Sequence, residues 1–265
     1  MNDSGQSGTE PQDQQQELAG EVAELVGQVT EAPARSRPRR VGSAISRIAG
    51  RSGYASRRAF ASGGRAGGRG VVSAGRWLTG QVLAMAPRLP VRDLETLRAQ
   101  HPGLGREELA DALIKGACRS TAAVGAATGA AMVLPLPSAP VEVAVETLAV
   151  VGIEIKLVAE LHEVYGERAQ GSAPERMLAY VGAWAQRRGI SFAPAGIVLV
   201  AGSPLRRRLQ RRLLARASRS ALSLGPLLTG CVAGAVLNQH ETRRLGADVR
   251  NDLRRRLPQA GDWPD

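Results

Sequence analysis

Aromatic residues are scarce: two phenylalanines, three tyrosines and three tryptophans make up 3% of the 265 positions. Any hydrophobic core must therefore be built from Leu, Val, Ala and Gly. Lysine is nearly missing too, since Lys115 and Lys156 are the only two among 35 basic residues. Cysteine is limited to Cys118 and Cys231, each in a small-residue apolar run, so two buried thiols are expected rather than a disulfide framework. The histidines (His101, His162 and His240) are scattered, and neither HExxH nor CxxC spacing occurs, which argues against a metal centre. There is no GxSxG elbow and no GxxxxGK[ST] loop. The glycine-rich GGRAGGRG at 63–70 follows no strand and lacks the lysine of a phosphate loop. No catalytic residue, cofactor, metal or small-molecule substrate is expected from these patterns. The amino-terminal MNDSGQSGTEPQDQQQ also lacks the basic region and apolar core of a signal peptide, so the cytoplasm is the expected compartment.

What is present is charge gathered into blocks. Residues 1–34 hold seven acids and no base, and residues 35–76 hold eleven arginines and no acid. The middle of the chain nearly balances, and residues 203–256 carry 13 arginines against three acids. The net charge is +11. Single-sign blocks of this kind mark interaction tails or solvated faces, with anionic partners such as a membrane surface or nucleic acid. The acidic head can also fold back on the basic stretch that follows it. With 43% apolar residues and a mean hydropathy of −0.14, a soluble or peripheral protein is expected rather than a polytopic one.

The longest uncharged run, STAAVGAATGAAMVLPLPSAPV from Ser120 to Val141, has the roughly 20 positions of a membrane span. Six of its residues are strongly apolar and three are prolines, so a close-packed hairpin buried in protein is the better expectation. No useful period-2 alternation occurs anywhere, and an all-α fold follows: a compact multi-helix bundle with Gly-rich hairpins and a disordered N-terminal arm. The arm is expected over 1–70, with Leu18, Val22, Leu25 and Val29 spaced for one short amphipathic helix. The helical domain is expected over 71–257 and a flexible tail over 258–265. Pro135 and Pro137 should end one helix, and a second from Val141 to Tyr165 should turn Glu142, Glu146, Lys156, Glu160 and Glu163 to water. Ser172-Ala-Pro-Glu175 has the form of a capping box.

Three groups of residues are candidates for function or packing. In LRRRLQRRLLAR, Leu205, Leu209 and Leu213 form a stripe flanked by Arg206, Arg207, Arg208, Arg211, Arg212 and Arg216. Such a helix suits an anionic bilayer surface; a solvated arginine face on a core helix explains the same letters. Two GxxxG spacings, Gly125 to Gly129 and Gly230 to Gly234, clear grooves for close helix approach. Glu154, off the polar stripe, and His162, on the apolar side, are candidate buried polar groups. A core role with an arginine partner for Glu154 is weighed there against catalysis. The arginine-glycine stretch near residue 65 is similar to segments that bind RNA flexibly, so nucleic acid remains an alternative partner.

The order of these pieces resembles the EcsC-like bacterial proteins and the Gly-rich helical domains found beside some GTPase modules. The resemblance is carried by Gly125, Gly129, Pro140, Glu142, Tyr165, Gly166, Gly230, Gly234 and Asn238, over roughly 105–256. It implies an all-helical domain associated with the cytoplasmic membrane and no established reaction. The expected protein is thus non-enzymatic, with the inner membrane surface as its leading partner and a protein partner also open.

Overall fold

The computed structural model describes residues 10–31, 37–51, 68–131, 139–193, 196–199 and 227–256. In chain order these form α1 (Glu10–Glu31), α2 (Arg37–Arg51), α3 (Gly68–Met85), a 3-10 turn (Ala86–Arg88), α4 (Leu94–Gln100), α5 (Arg106–Ala131), α6 (Ala139–Val164) and α7 (Ala173–Arg187). The antiparallel strands β1 (Ile190–Ala193) and β2 (Gly196–Leu199) follow, then α8 (Leu227–Arg256). The domain is all-α, and the two-stranded ribbon is its one departure among the described residues. The ribbon escaped the sequence pattern because its two strands are only four residues each and nearly all apolar, which leaves little alternation to detect.

Every other helix among the described residues packs against α6. Its buried face is continuous, with Val145, Leu148, Ile155, Val158 and Leu161 each at most 1% exposed. The wet face expected on this helix is corrected by its position. Glu142, Glu146, Lys156 and Glu160 are all buried, because neighbouring helices close over the polar stripe as well. Glu163, at the end of the helix, is half-buried and pairs with Arg168 at 2.5 Å. α5 and α8 form the most extensive helix pair beside it.

Folded structure also extends amino-terminal to the boundary expected at Val71. The stripe Leu18, Val22, Leu25 and Val29 of α1 lies in the core, joined by Val41, Ile45 and Ile48 of α2. Helical spacing of these apolar residues outweighs the polar composition around them. Arg51 of α2 meets Glu21 of α1 at 2.7 Å, one contact between the acidic and basic blocks. The pair is largely solvated and contributes at most about 1 kcal/mol. Residues 1–9, most of the basic linker and the tail at 258–265 lie outside the described residues, as does the stretch holding Pro135 and Pro137. The uncharged run from Ser120 is accordingly split between α5 and α6.

Local signals set the ends of α7. The Ser172 amide and hydroxyl both donate to Glu175 Oε2 at 2.7 Å, which completes the capping box. Gly189, at φ 64°, takes the left-handed conformation that terminates the helix.

Glycine lets α6 and α8 approach their neighbours. A Cβ at Gly152 would stand 2.8 Å from Val26 Cγ2 and 3.3 Å from Met85 Cε, and one at Gly246 would stand 2.8 Å from Ile114 Cγ1. At Gly182 of α7 an added Cβ meets nothing within 4 Å. Gly152→Ala and Gly246→Ala are each expected to cost about 1–3 kcal/mol through overpacking. Gly182→Ala should instead be neutral or stabilising by up to about 1 kcal/mol. Urea midpoints of the three variants check this, and a common sign for all three would contradict it.

Candidate functional site

Glu154 stands near the middle of α6, 1% exposed, where an ionised carboxylate survives only if its oxygens are well bonded. Arg188, at the carboxyl end of α7, reaches it with Nη2 on Oε1 at 2.5 Å and Nε on Oε2 at 3.2 Å. Trp184, one turn earlier on α7, donates Nε1 to Oε2 at 2.9 Å, and Thr242 of α8 donates to Oε1 at 3.1 Å. Four donors on two oxygens use the whole accepting capacity of a carboxylate. The group therefore ties α6, α7 and α8 together. Arg188 continues outward to Glu241 Oε2 at 2.8 Å. The Thr121 and Thr242 hydroxyls are 3.1 Å apart, and Asn238 Nδ2 donates to the Thr121 carbonyl at 3.1 Å, so α5 joins the same network.

A second charged cluster lies further along α6. Arg92, in the loop before α4, grips Glu160 with Nε and Nη2, both at 2.8 Å. Lys156, 1% exposed in its side chain, stands 3.0 Å from the same carboxylate and donates to the Pro90 carbonyl. An arginine partner for Glu154 was expected from the sequence, though not which arginine, whereas the Glu160 cluster was missed; the two arginines sit 34 and 68 positions from the acids they meet. The available signal was Glu154 itself, an acid at the wrong helical phase.

His162 Nδ1 lies 2.7 Å from the Val158 carbonyl, so that nitrogen carries the proton, and its ring tilts against Tyr180 with centroids 5.1 Å apart. Burial pushes the imidazole below its ordinary range, opposed in part by the Val158 bond. The unfolded chain, with an imidazole near about 6.5, then binds the proton more tightly than the folded one. Stability is fully present above that value and lost as pH falls through it. His162→Gln is expected to flatten this part of the profile. Thermal melts between about pH 7 and 5 test it, and parallel profiles for the two proteins would count against it.

Gly125 is buried on α5, and Gly129, Gly230 and Gly234 lie on the α5 and α8 backbones, their surroundings outside the described residues. Cys118 is buried, its Sγ 3.5 Å from the Gln239 carbonyl. The whole arginine-leucine segment, from Leu205 to Arg216, falls outside the described residues. α8, which begins at Leu227, is described. There Val236 and Leu237 stand 55% and 41% exposed, and His240, Arg243 and Arg244 are exposed on the same side of the helix. An exposed apolar pair beside a basic face was hidden in the uncharged run, where composition alone does not say which residues face outward.

No helix among the described residues is long and apolar enough to cross a membrane, and no cluster of three or more His, Cys, Asp or Glu is placed to hold a metal. No protein-family model, curated protein or solved structure matches the chain.

Proposed function

We propose that this is a non-enzymatic helical protein that binds the anionic inner face of the cell membrane peripherally. The observation that carries the reading is the exposed side of α8, where Val236 and Leu237 adjoin His240, Arg243 and Arg244. Bases near an anionic bilayer contribute about 1 kcal/mol each, and two inserted apolar side chains add to that. Arg206, Arg207, Arg208, Arg211, Arg212 and Arg216, with Leu205, Leu209 and Leu213 between them, supply the same chemistry in the preceding segment. The resemblance to EcsC-like proteins points to the same surface. Nucleic acid would draw on the arginines equally, but the exposed apolar pair has no use there, and 3% aromatics leave little to stack on bases.

Vesicle flotation tests the proposal. The protein should rise with vesicles rich in phosphatidylglycerol, stay behind with phosphatidylcholine, and detach as salt increases. Recovery only in the unbound fraction with both lipids would contradict it. Retention of duplex DNA or RNA at about 50 mM salt, with no lipid binding, would favour the nucleic-acid reading.

A further inference from the structure

The central helix fixes where its neighbours stand. Gly152 of α6 packs on Val26 of α1 and on Met85 at the end of α3, while Glu154 accepts from Thr242 of α8. Two residues along a helix are about 200° of turn, so α1 and the end of α3 lie on the opposite side of α6 from α8. The two sides carry opposite charge. α1 has no base, and Asp13, Glu17 and Glu24 are exposed on it. On the other side α8 exposes His240, Arg243 and Arg244. Glu241 among them is taken by Arg188 at 2.8 Å.

α5 extends the basic side. It runs antiparallel to α8: Asp111 pairs with Arg250, the Cys118 thiol meets the Gln239 carbonyl, and the Thr121 carbonyl accepts from Asn238. Lys115 and Arg119 are exposed one turn apart on α5, level with the stretch of α8 from Gln239 to Gly246. Arg243, one turn after Gln239, is on the flank of α8 that borders them. Among the described residues no carboxylate pairs with Lys115, Arg119, Arg243 or Arg244. At the far end of the same helix pair the charges cancel, Asp111 with Arg250 and Glu107 with Arg254. Glu31, at the end of α1, is the one acid of that helix that lines a cleft with Arg119.

We infer that the edge formed by α5 and α8 is the surface that seats on an anionic bilayer, with Lys115 and Arg119 on the lipid phosphates beside Arg243 and Arg244, and with α1 turned away. This rests on the membrane role proposed above and gives it an orientation. Phosphodiester headgroups accept charge-assisted hydrogen bonds from guanidinium and ammonium groups. The field of the bilayer reaches about one Debye length, roughly 8–10 Å. Helices pack 8–10 Å apart, so an acid on the outer side of α1 stands roughly 16–20 Å behind α8 and is screened. Binding then follows the position of the bases and is indifferent to net charge.

The experiment titrates the full chain with phosphatidylglycerol vesicles and reads the bound fraction by flotation, with melting temperatures as the check on folding. Lys115→Glu/Arg119→Glu should bind at least about tenfold more weakly than the wild type. Arg76→Glu/Arg88→Glu makes the same change in net charge at exposed positions of α3 and the turn after it, and should stay within about twofold. Glu17→Lys/Glu24→Lys, which raises the net charge on the acidic side, should also stay within about twofold. A wild type that does not float would overturn the membrane role and the orientation together. A wild type that floats, with Lys115→Glu/Arg119→Glu unchanged or no weaker than Arg76→Glu/Arg88→Glu, would overturn the orientation alone. Tighter binding by Glu17→Lys/Glu24→Lys would do the same.

Discussion

Arg188→Met is expected to lower the unfolding free energy by about 3–5 kcal/mol, because it strands a buried carboxylate without its counter-charge. That is a large part of the roughly 5–15 kcal/mol that holds a domain of ordinary stability together. Arg188 is 7% exposed and Glu154 1%, so water cannot replace the lost guanidinium. Trp184 and Thr242 would remain on Glu154, but two neutral donors do not neutralise an anion in a medium of low dielectric. The double variant Glu154→Gln with Arg188→Met should recover at least half of the loss. Its amide oxygen still accepts from Trp184 and Thr242 while no charge is left unpaired. Urea unfolding followed by tryptophan fluorescence measures all three proteins. A loss below about 1 kcal/mol for Arg188→Met, the value of an exposed pair, would show that Glu154 is not sealed from solvent.

Glu160→Leu should be comparably severe, also about 3–5 kcal/mol, for the opposite reason: one anion there serves two cations. Removing it leaves the Lys156 ammonium, 1% exposed, with only the Pro90 carbonyl, and strips Arg92 of a two-point grip. Lys156→Met should be far milder, on the order of 1 kcal/mol, since Glu160 keeps both Arg92 bonds. The order of the two variants is the diagnostic quantity. If Lys156→Met proved the more damaging, the carboxylate would not be the hub of this cluster.

Both cases show what a single sequence reveals about such a fold. Local chemistry was legible. The Ser172–Glu175 cap and the stripe of Leu18, Val22, Leu25 and Val29 stand where nearest-neighbour rules put them. The polar side of α6 was misread because a helical period says which residues share a face, not what covers that face. Glu160 and Lys156 look solvated until Arg92 arrives from a loop 68 positions earlier. In the same way, Val41, Ile45 and Ile48 of α2 sat unnoticed among arginines and glycines, though their spacing carried the signal for a docked helix. Gly152 and Gly246 make no GxxxG pair, and only the packed neighbours Val26 and Ile114 show why a side chain is excluded there.

The outward side of α8 was the least legible part, and the proposed membrane role depends on it. In a run without charges, buried and exposed apolar residues are written in the same letters. The pair to change is therefore Val236 and Leu237, which are exposed and whose replacement leaves the core untouched. Flotation of the wild type and a Val236→Asp/Leu237→Asp variant on phosphatidylglycerol vesicles tests membrane binding through this face of α8. The wild type should float, and the variant, with equal melting temperature, should lose most of its bound fraction. Equal flotation of the two proteins, or none by either, would contradict it.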